Sequence, residues 1–185
     1  MGKVIVFIDG SNLYHGLKAN IGKTKINFEK FVNKLVNGRE LVRIYYYNVP
    51  INQTEDPINY KAQQRFFSRL DRISYFETIL GRLSPRERIH KCPNCQHENK
   101  IIFHNEKGVD VKIAVDMLSM ATKNLYDVAI LVTGDGDFDK AIKEVKDLGK
   151  HVENAYFTTG HAYQLFKICD KFIELNSSFL SDCWL

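Results

Sequence analysis

The sequence predicts an α/β fold, a three-layer αβα sandwich around a mostly parallel central sheet, and three observations predict it. Short apolar runs rich in branched residues, Val4–Ile8 and Val128–Val132, read as strands buried on both faces. Such runs alternate along the chain with segments whose apolar residues recur at helical spacing. Two of the runs end at a carboxylate and a glycine where the chain turns towards a helix, and open α/β sheets bind ligands outside the carboxyl ends of their strands.

Each element follows in order. Lys3 to Ile8 is a buried strand ending at Asp9, followed by Gly10-Ser11-Asn12. Ser11 or Asn12 suits a helix cap, and the Asn12 amide also suits holding Asp9 or a water. Asn27 caps a helix over Phe28, Phe31, Val32, Leu35 and Val36 that ends at Gly38. Glu40 to Val49 is a tyrosine-rich strand whose rings are expected half buried with wet hydroxyls. Stacking of Tyr46 or Tyr47 on a base is a further option. After a loop at Pro50 to Pro57, a helix over Asn59 to Leu70 carries Lys61, Arg65 and Arg69, with Arg72 beyond; this set reads as a solvated face or a phosphate track. Ile73 to Leu83 is the next strand candidate.

Beyond residue 83 the composition changes. Residues 84–106 are polar and basic and hold Cys92-Pro-Asn-Cys95, the spacing of a zinc-knuckle turn. No second cysteine pair exists, so further ligands would come from His90, His97 or His104, of which His104 at the far end of a hairpin reaches most easily. A structural zinc on Cys92, Cys95 and His104 would staple a hairpin too small to hold itself; free thiols in a plain turn are the alternative. Val111, Ala114, Val115, Leu118 and Ala121 then mark a helix with Asp110 in its first turn, where an acid also suits the helix dipole. Asp116 reads as supporting that region or as solvated. After the 128–132 strand come Thr133-Gly-Asp135-Gly-Asp137 and a helix marked by Phe138, Ala141, Ile142, Val145 and Leu148. A strand over Lys150 to Phe157, a helix over His161 to Ile168 and a strand at Phe172 to Leu175 complete the alternation, with the 176–185 tail docked on the body and Cys169 and Cys183 buried.

Composition narrows the function. At 185 residues the chain fits one domain, 1–185, with the 84–106 insertion inside it. Twenty-six basic residues against 22 acids give a net charge of +4, which permits a polyanionic partner. No apolar run is long enough to cross a membrane, the apolar start is too short for a signal peptide, and four cysteines do not make a secreted disulfide framework, so a cytoplasmic protein without a membrane partner is expected. There is no P-loop and no Gly-x-Gly-x-x-Gly turn for a nucleotide. An aspartate-nucleophile phosphatase would want Asp-x-Asp after the first strand, where this chain has Asp9-Gly-Ser11. What remains is a group of acids at strand ends. Such acids repel one another unless positive charge lies between them, and a divalent cation supplies it. Asp135 and Asp137 also suit a turn and a helix start.

Asp9 with Asn12, then Lys107-Gly-Val-Asp110, then Thr133-Gly-Asp135-Gly-Asp137-Phe138, in that order and at these distances, resemble the NYN domain family, the LabA-like branch of the PIN-like nucleases, from about Val4 to Leu175. The family usually has serine where Gly136 stands. The resemblance implies a metal-dependent ribonuclease that hydrolyses RNA phosphodiester bonds with metal-activated water. Asp9, Asn12, Asp110, Asp135 and Asp137 would be catalytic, with the four aspartates holding Mg or Mn. Ser11, Lys107 and Thr133 would contact substrate phosphate. A catalytically weak RNA-binding or regulatory protein is the alternative. RNA is the expected partner, and a homodimer is compatible with the sequence.

Overall fold

The computed structural model describes residues 2–91, 95 and 98–185. Six parallel strands form the central sheet: β1 (Lys3–Asp9), β2 (Glu40–Asn48), β3 (Phe76–Leu80), β6 (Val128–Val132), β7 (His151–Tyr156) and β8 (Lys171–Glu174), in the order β3-β2-β1-β6-β7-β8. The chain therefore builds outward from β1 in one direction, then returns to β1 and builds outward in the other. The switch of direction falls between β1 and β6, which opens a crevice at their carboxyl ends. Ile8 pairs with Val132, so Asp9 stands level with Thr133 and two residues short of Asp135.

Side chains of β1 alternate between two cores, as a strand buried on both faces must. Val4, Val6 and Ile8 pack with α1 (Gly10–Asn20), α2 (Phe28–Val36) and α3 (Pro57–Leu70). Ile5 and Phe7 pack with α4 (Val109–Thr122), α5 (Asp139–Asp147) and α6 (Tyr163–Ile168). These are the two helical layers the alternation predicts. Among the described residues, no helix is long and apolar enough to cross a membrane.

Several expected boundaries move. The helix expected from Asn59 begins at Pro57, because Asp56 accepts the Asn59 N–H and caps it, and proline at the first position needs no N–H partner. The strand expected over Ile73 to Leu83 is only Phe76–Leu80; Ile73 instead closes the end of α3, its N–H bonded to the Leu70 carbonyl. The insertion is longer than residues 84–106. β4 (Arg82–Lys91) and β5 (Glu98–Lys107) form an antiparallel ladder apart from the main sheet, with Arg82 opposite Lys107 at its root. Gly81 lets that root close: a Cβ there would stand 2.9 Å from both the Lys107 carbonyl and Val109 Cγ2. Cys95 is exposed at the tip as a free thiol. Cys92 and His97, and the side chains of His90 and His104, lie outside the described residues, as does the zinc site expected of Cys92, Cys95 and His104. The 151–156 strand and the 163–168 helix are each shorter than expected, and the closing strand starts at Lys171.

In the tyrosine strand Tyr45 is half-buried as expected, while the two rings after it depart from that expectation. Tyr46 and Tyr47 are fully buried. The Tyr46 hydroxyl accepts from Asn48 Nδ2 at 3.0 Å, and the Tyr47 hydroxyl donates to Asp116 Oδ2 at 2.9 Å. Neither ring is open to stack on a base, and Asp116 is the partner of a buried phenol.

Candidate active site

A cleft of about 430 Å³ lies at the carboxyl ends of β1 and β6. Asp9, Ser11, Asn12, Lys107, Asp110 and Asp135 line it, so parts of the chain separated by about a hundred residues meet there. Asp9 ends β1 and caps α1, its Oδ1 accepting the Asn12 N–H at 3.0 Å. Asp110 arrives from the insertion: Gly108, at φ 85°, makes the left-handed turn that starts α4, and Asp110 sits in the first turn. Asp135 ends the loop after β6 and caps a short 3-10 turn, Gly136–Phe138, by accepting the Asp137 N–H at 3.0 Å.

The acids affect one another's charge. Asp9, only 6 % exposed, has its pKa raised from 3.8 to about 6. Burial is the main cause; Asp110 and Asp135 add to it, against the N–H groups of Asn12 and Ser11. Asp110 is likewise raised by burial, then by Asp135 and Asp137. Among the described residues, however, no three acidic, histidine or cysteine side chains converge closely enough to grip one metal ion directly.

Two expected contributors stand apart from the acids that line the cleft. Thr133 is 2 % exposed and its hydroxyl accepts the Asp135 N–H at 3.2 Å, which fixes the Asp135 loop. Asp137 is exposed and stands outside the cleft lining, close enough to act on Asp110 through its charge. Asn12 does not hold Asp9 through its amide: its backbone N–H does that, and its Oδ1 accepts the Gly134 N–H at 2.9 Å. One residue thereby ties the ends of β1 and β6 together.

His15, Ala19, Asn154 and His161 join or support the site beyond the residues the sequence pointed to. Ser11, His15 and Ala19, four residues apart, form a stripe of α1 along the cleft. Asn154 is a polar residue in a mostly buried strand and is itself completely buried. Its Nδ2 donates to the carbonyls of Leu131 and Thr133 at 3.0 and 2.9 Å, and its Oδ1 lies 2.6 Å from His161 Nε2. The His161 ring is held between Tyr156 and Phe166, at 4.4 and 4.2 Å, and burial lowers its pKa. This relay braces the end of β6 from behind.

Glycines set how closely these walls approach. A Cβ on Gly10 would stand 2.4 Å from Tyr46 Cζ and 2.7 Å from the Tyr47 carbonyl oxygen. Neither buried group can move away, so Gly10→Ala is expected to destabilise the protein by about 1–3 kcal/mol and to displace Asp9. Urea unfolding checks the first effect and RNA cleavage the second.

The comparisons agree with this architecture. The family model of the NYN domain matches residues 3–176. The Low amplitude and bright protein LabA of Synechococcus elongatus is 26 % identical over 176 residues, covering 94 % of this chain and 84 % of that protein. A crystal structure of a protein of unknown function from Vibrio parahaemolyticus superposes with a TM-score of 0.68 at 21 % identity, over 97 % of this chain and 96 % of that one, a likeness of fold. With the family model spanning nearly its whole length and the sheet built as described, this chain belongs to the NYN domain family, within the PIN-like nuclease superfamily.

Proposed function

We propose that this protein is a divalent-metal-dependent ribonuclease that hydrolyses RNA phosphodiester bonds at the edge formed by Asp9, Asp110 and Asp135. The observation that carries the reading is that these three acids, from three separate elements, line one cleft, where the charges of Asp110 and Asp135 add to burial in raising the pKa of Asp9. At neutral pH such a group needs positive charge among its members. Hard ions such as Mg or Mn suit carboxylate oxygens, and Mg is commonly held through one or two carboxylates with several waters retained. The lack of a three-ligand grip is compatible with that mode, and Asp9, Asp110 and Asp135 would hold the ion, with Asp137 at the rim. When bound, the ion neutralises phosphate charge and makes water a better nucleophile.

The chain's own residues supply the rest. The N–H groups of Ser11 and Asn12 fix the Asp9 carboxylate. Asn12 and Thr133 position the loop that carries Asp135. Lys107 and Ser11 face the cleft where a phosphate would lie. Membership of a family in a nuclease superfamily, and the RNA binding and divalent-metal use typical of NYN domains, support the reading. We take the whole chain as one cytoplasmic domain.

Incubation of the pure protein with labelled single-stranded and structured RNAs, with Mn²⁺, Mg²⁺ or EDTA, tests this directly. Cleavage is expected with the metals and none with EDTA. Asp135→Asn is expected to lower the rate by about 10²–10³-fold with an unchanged circular dichroism spectrum. Wild-type activity from pure Asp135→Asn protein would remove the assignment. RNA binding without cleavage is a second reading, favoured by the absence of three converging ligands among the described residues. Metal-independent binding with intact RNA would select it.

A further inference from the structure

Beside the acid cleft a second depression of about 640 Å³ runs between α1 and α3. It shares Ser11, His15, Asn48 and Val49 with the cleft, so the two adjoin. Its floor is aromatic: Phe28 packs against Tyr46 and Phe66 at 5.6 and 5.9 Å. On its rim Tyr14 is 48 % exposed, with His15 edge-on to it at 5.4 Å. Two polar side chains of the wall, Gln63 and Asn48, are engaged. Gln63 Nε2 donates to the Val49 carbonyl while its Oε1 accepts the Ile51 N–H, and Asn48 Nδ2 donates to the Tyr46 hydroxyl. Ala62, exposed on α3, lines both this trough and a basic patch with Arg65, Arg69 and Arg72. From Pro57 to Leu70 the helix has no acidic residue.

We propose that this trough holds one nucleobase of the bound RNA strand, stacked against Tyr14, with the arginines of α3 meeting the backbone beyond it. This rests on the ribonuclease reading for the identity of the strand. An RNA strand alternates anionic phosphates with flat aromatic bases. The surface offers the matching series in order: a phosphate edge at the acids, a trough with an aromatic floor, then cationic side chains. An apolar peptide would leave the arginines unmatched. Tyr14 and the aromatic floor take a base by stacking, to which every base offers a flat face.

Fluorescence anisotropy with a fluorescein-labelled 12-nucleotide RNA of mixed sequence tests this, using Asp135→Asn protein in Mg²⁺ so that cleavage does not interfere. Tyr14→Ala is expected to weaken binding about 5- to 100-fold, the range of one lost base stack. Ala62→Trp fills the trough from an exposed helix position and is expected to weaken it similarly. A base-free ribose-phosphate strand of the same length should bind the parent and Tyr14→Ala equally. Parental affinity in both variants, or equal losses on the base-free strand, would overturn the proposal. So would a parent dimer in sedimentation that Ala62→Trp disrupts, which would make a second copy the occupant. Cleavage by wild type is scored separately. Tyr14-dependent binding without cleavage would sink the ribonuclease reading alone, and cleavage with Tyr14-independent binding would sink this one alone.

Discussion

Asp9→Asn is expected to yield a protein that is more stable and inactive. The native carboxyl holds its proton more tightly than the unfolded one, with a pKa raised from 3.8 to about 6. Folding stability is therefore lost as pH rises from about 4 to 6, and the full penalty applies at neutral pH. A gap of about 2 pH units corresponds to about 3 kcal/mol. Asparagine carries no charge yet still accepts the Asn12 N–H as a helix cap, so most of the penalty is relieved without losing the cap. Urea unfolding in EDTA should show the variant about 1–3 kcal/mol more stable than wild type at pH 7.5 and equal to it at pH 4. Cleavage should fall about 10²–10³-fold, because the amide brings no negative charge to the cleft. A carboxylate kept at such a disadvantage serves something other than the fold.

Arg39→Ala should produce the largest loss of stability. The Arg39 guanidinium bonds Glu153 twice, at 2.8 and 3.0 Å, and also donates to the Val36 and Leu35 carbonyls at the end of α2. Glu153 lies in β7 and is buried. Removing the arginine leaves a buried carboxylate whose remaining cation is Lys171, 3.8 Å away. Breaking a buried pair from one side typically costs 3–5 kcal/mol. With Lys171 in place the lower end is expected, about 3 kcal/mol, which lowers Tm by about 10 °C in a chain of this size. The double variant Arg39→Met with Glu153→Leu should recover most of it, since replacing both charges by apolar groups is often neutral. Thermal unfolding of the two variants side by side decides this. A single variant as stable as wild type would mean that Glu153 is solvated.

The parts of this molecule that could be read from its sequence are those where one residue's meaning is local. Asp9 and Asp135 follow apolar strands, and a carboxylate at a strand's carboxyl end has the same address in any parallel sheet. Asp110 could be placed because helical spacing begins just after it. Asn154 and Arg39 could not. A polar residue in a buried strand is explained only by the carbonyls of β6 beside it, and Arg39 only by a strand more than a hundred residues away. Thr133 lies beside the acids, and its burial and the bond its hydroxyl accepts from the Asp135 N–H depend on packing that its place in the sequence does not reveal. The strand expected over Ile73 to Leu83 was too long because an apolar residue closing a helix resembles one opening a strand.

Calorimetric titration of Mn²⁺ into wild type, Asp9→Asn, Asp110→Asn and Asp135→Asn at pH 7.5 tests most directly whether these acids act together on one cation. Saturable binding by wild type is expected, weakened at least tenfold by each substitution and weakened in wild type at pH 5, where Asp9 is protonated. Affinity unchanged by all three substitutions would contradict it.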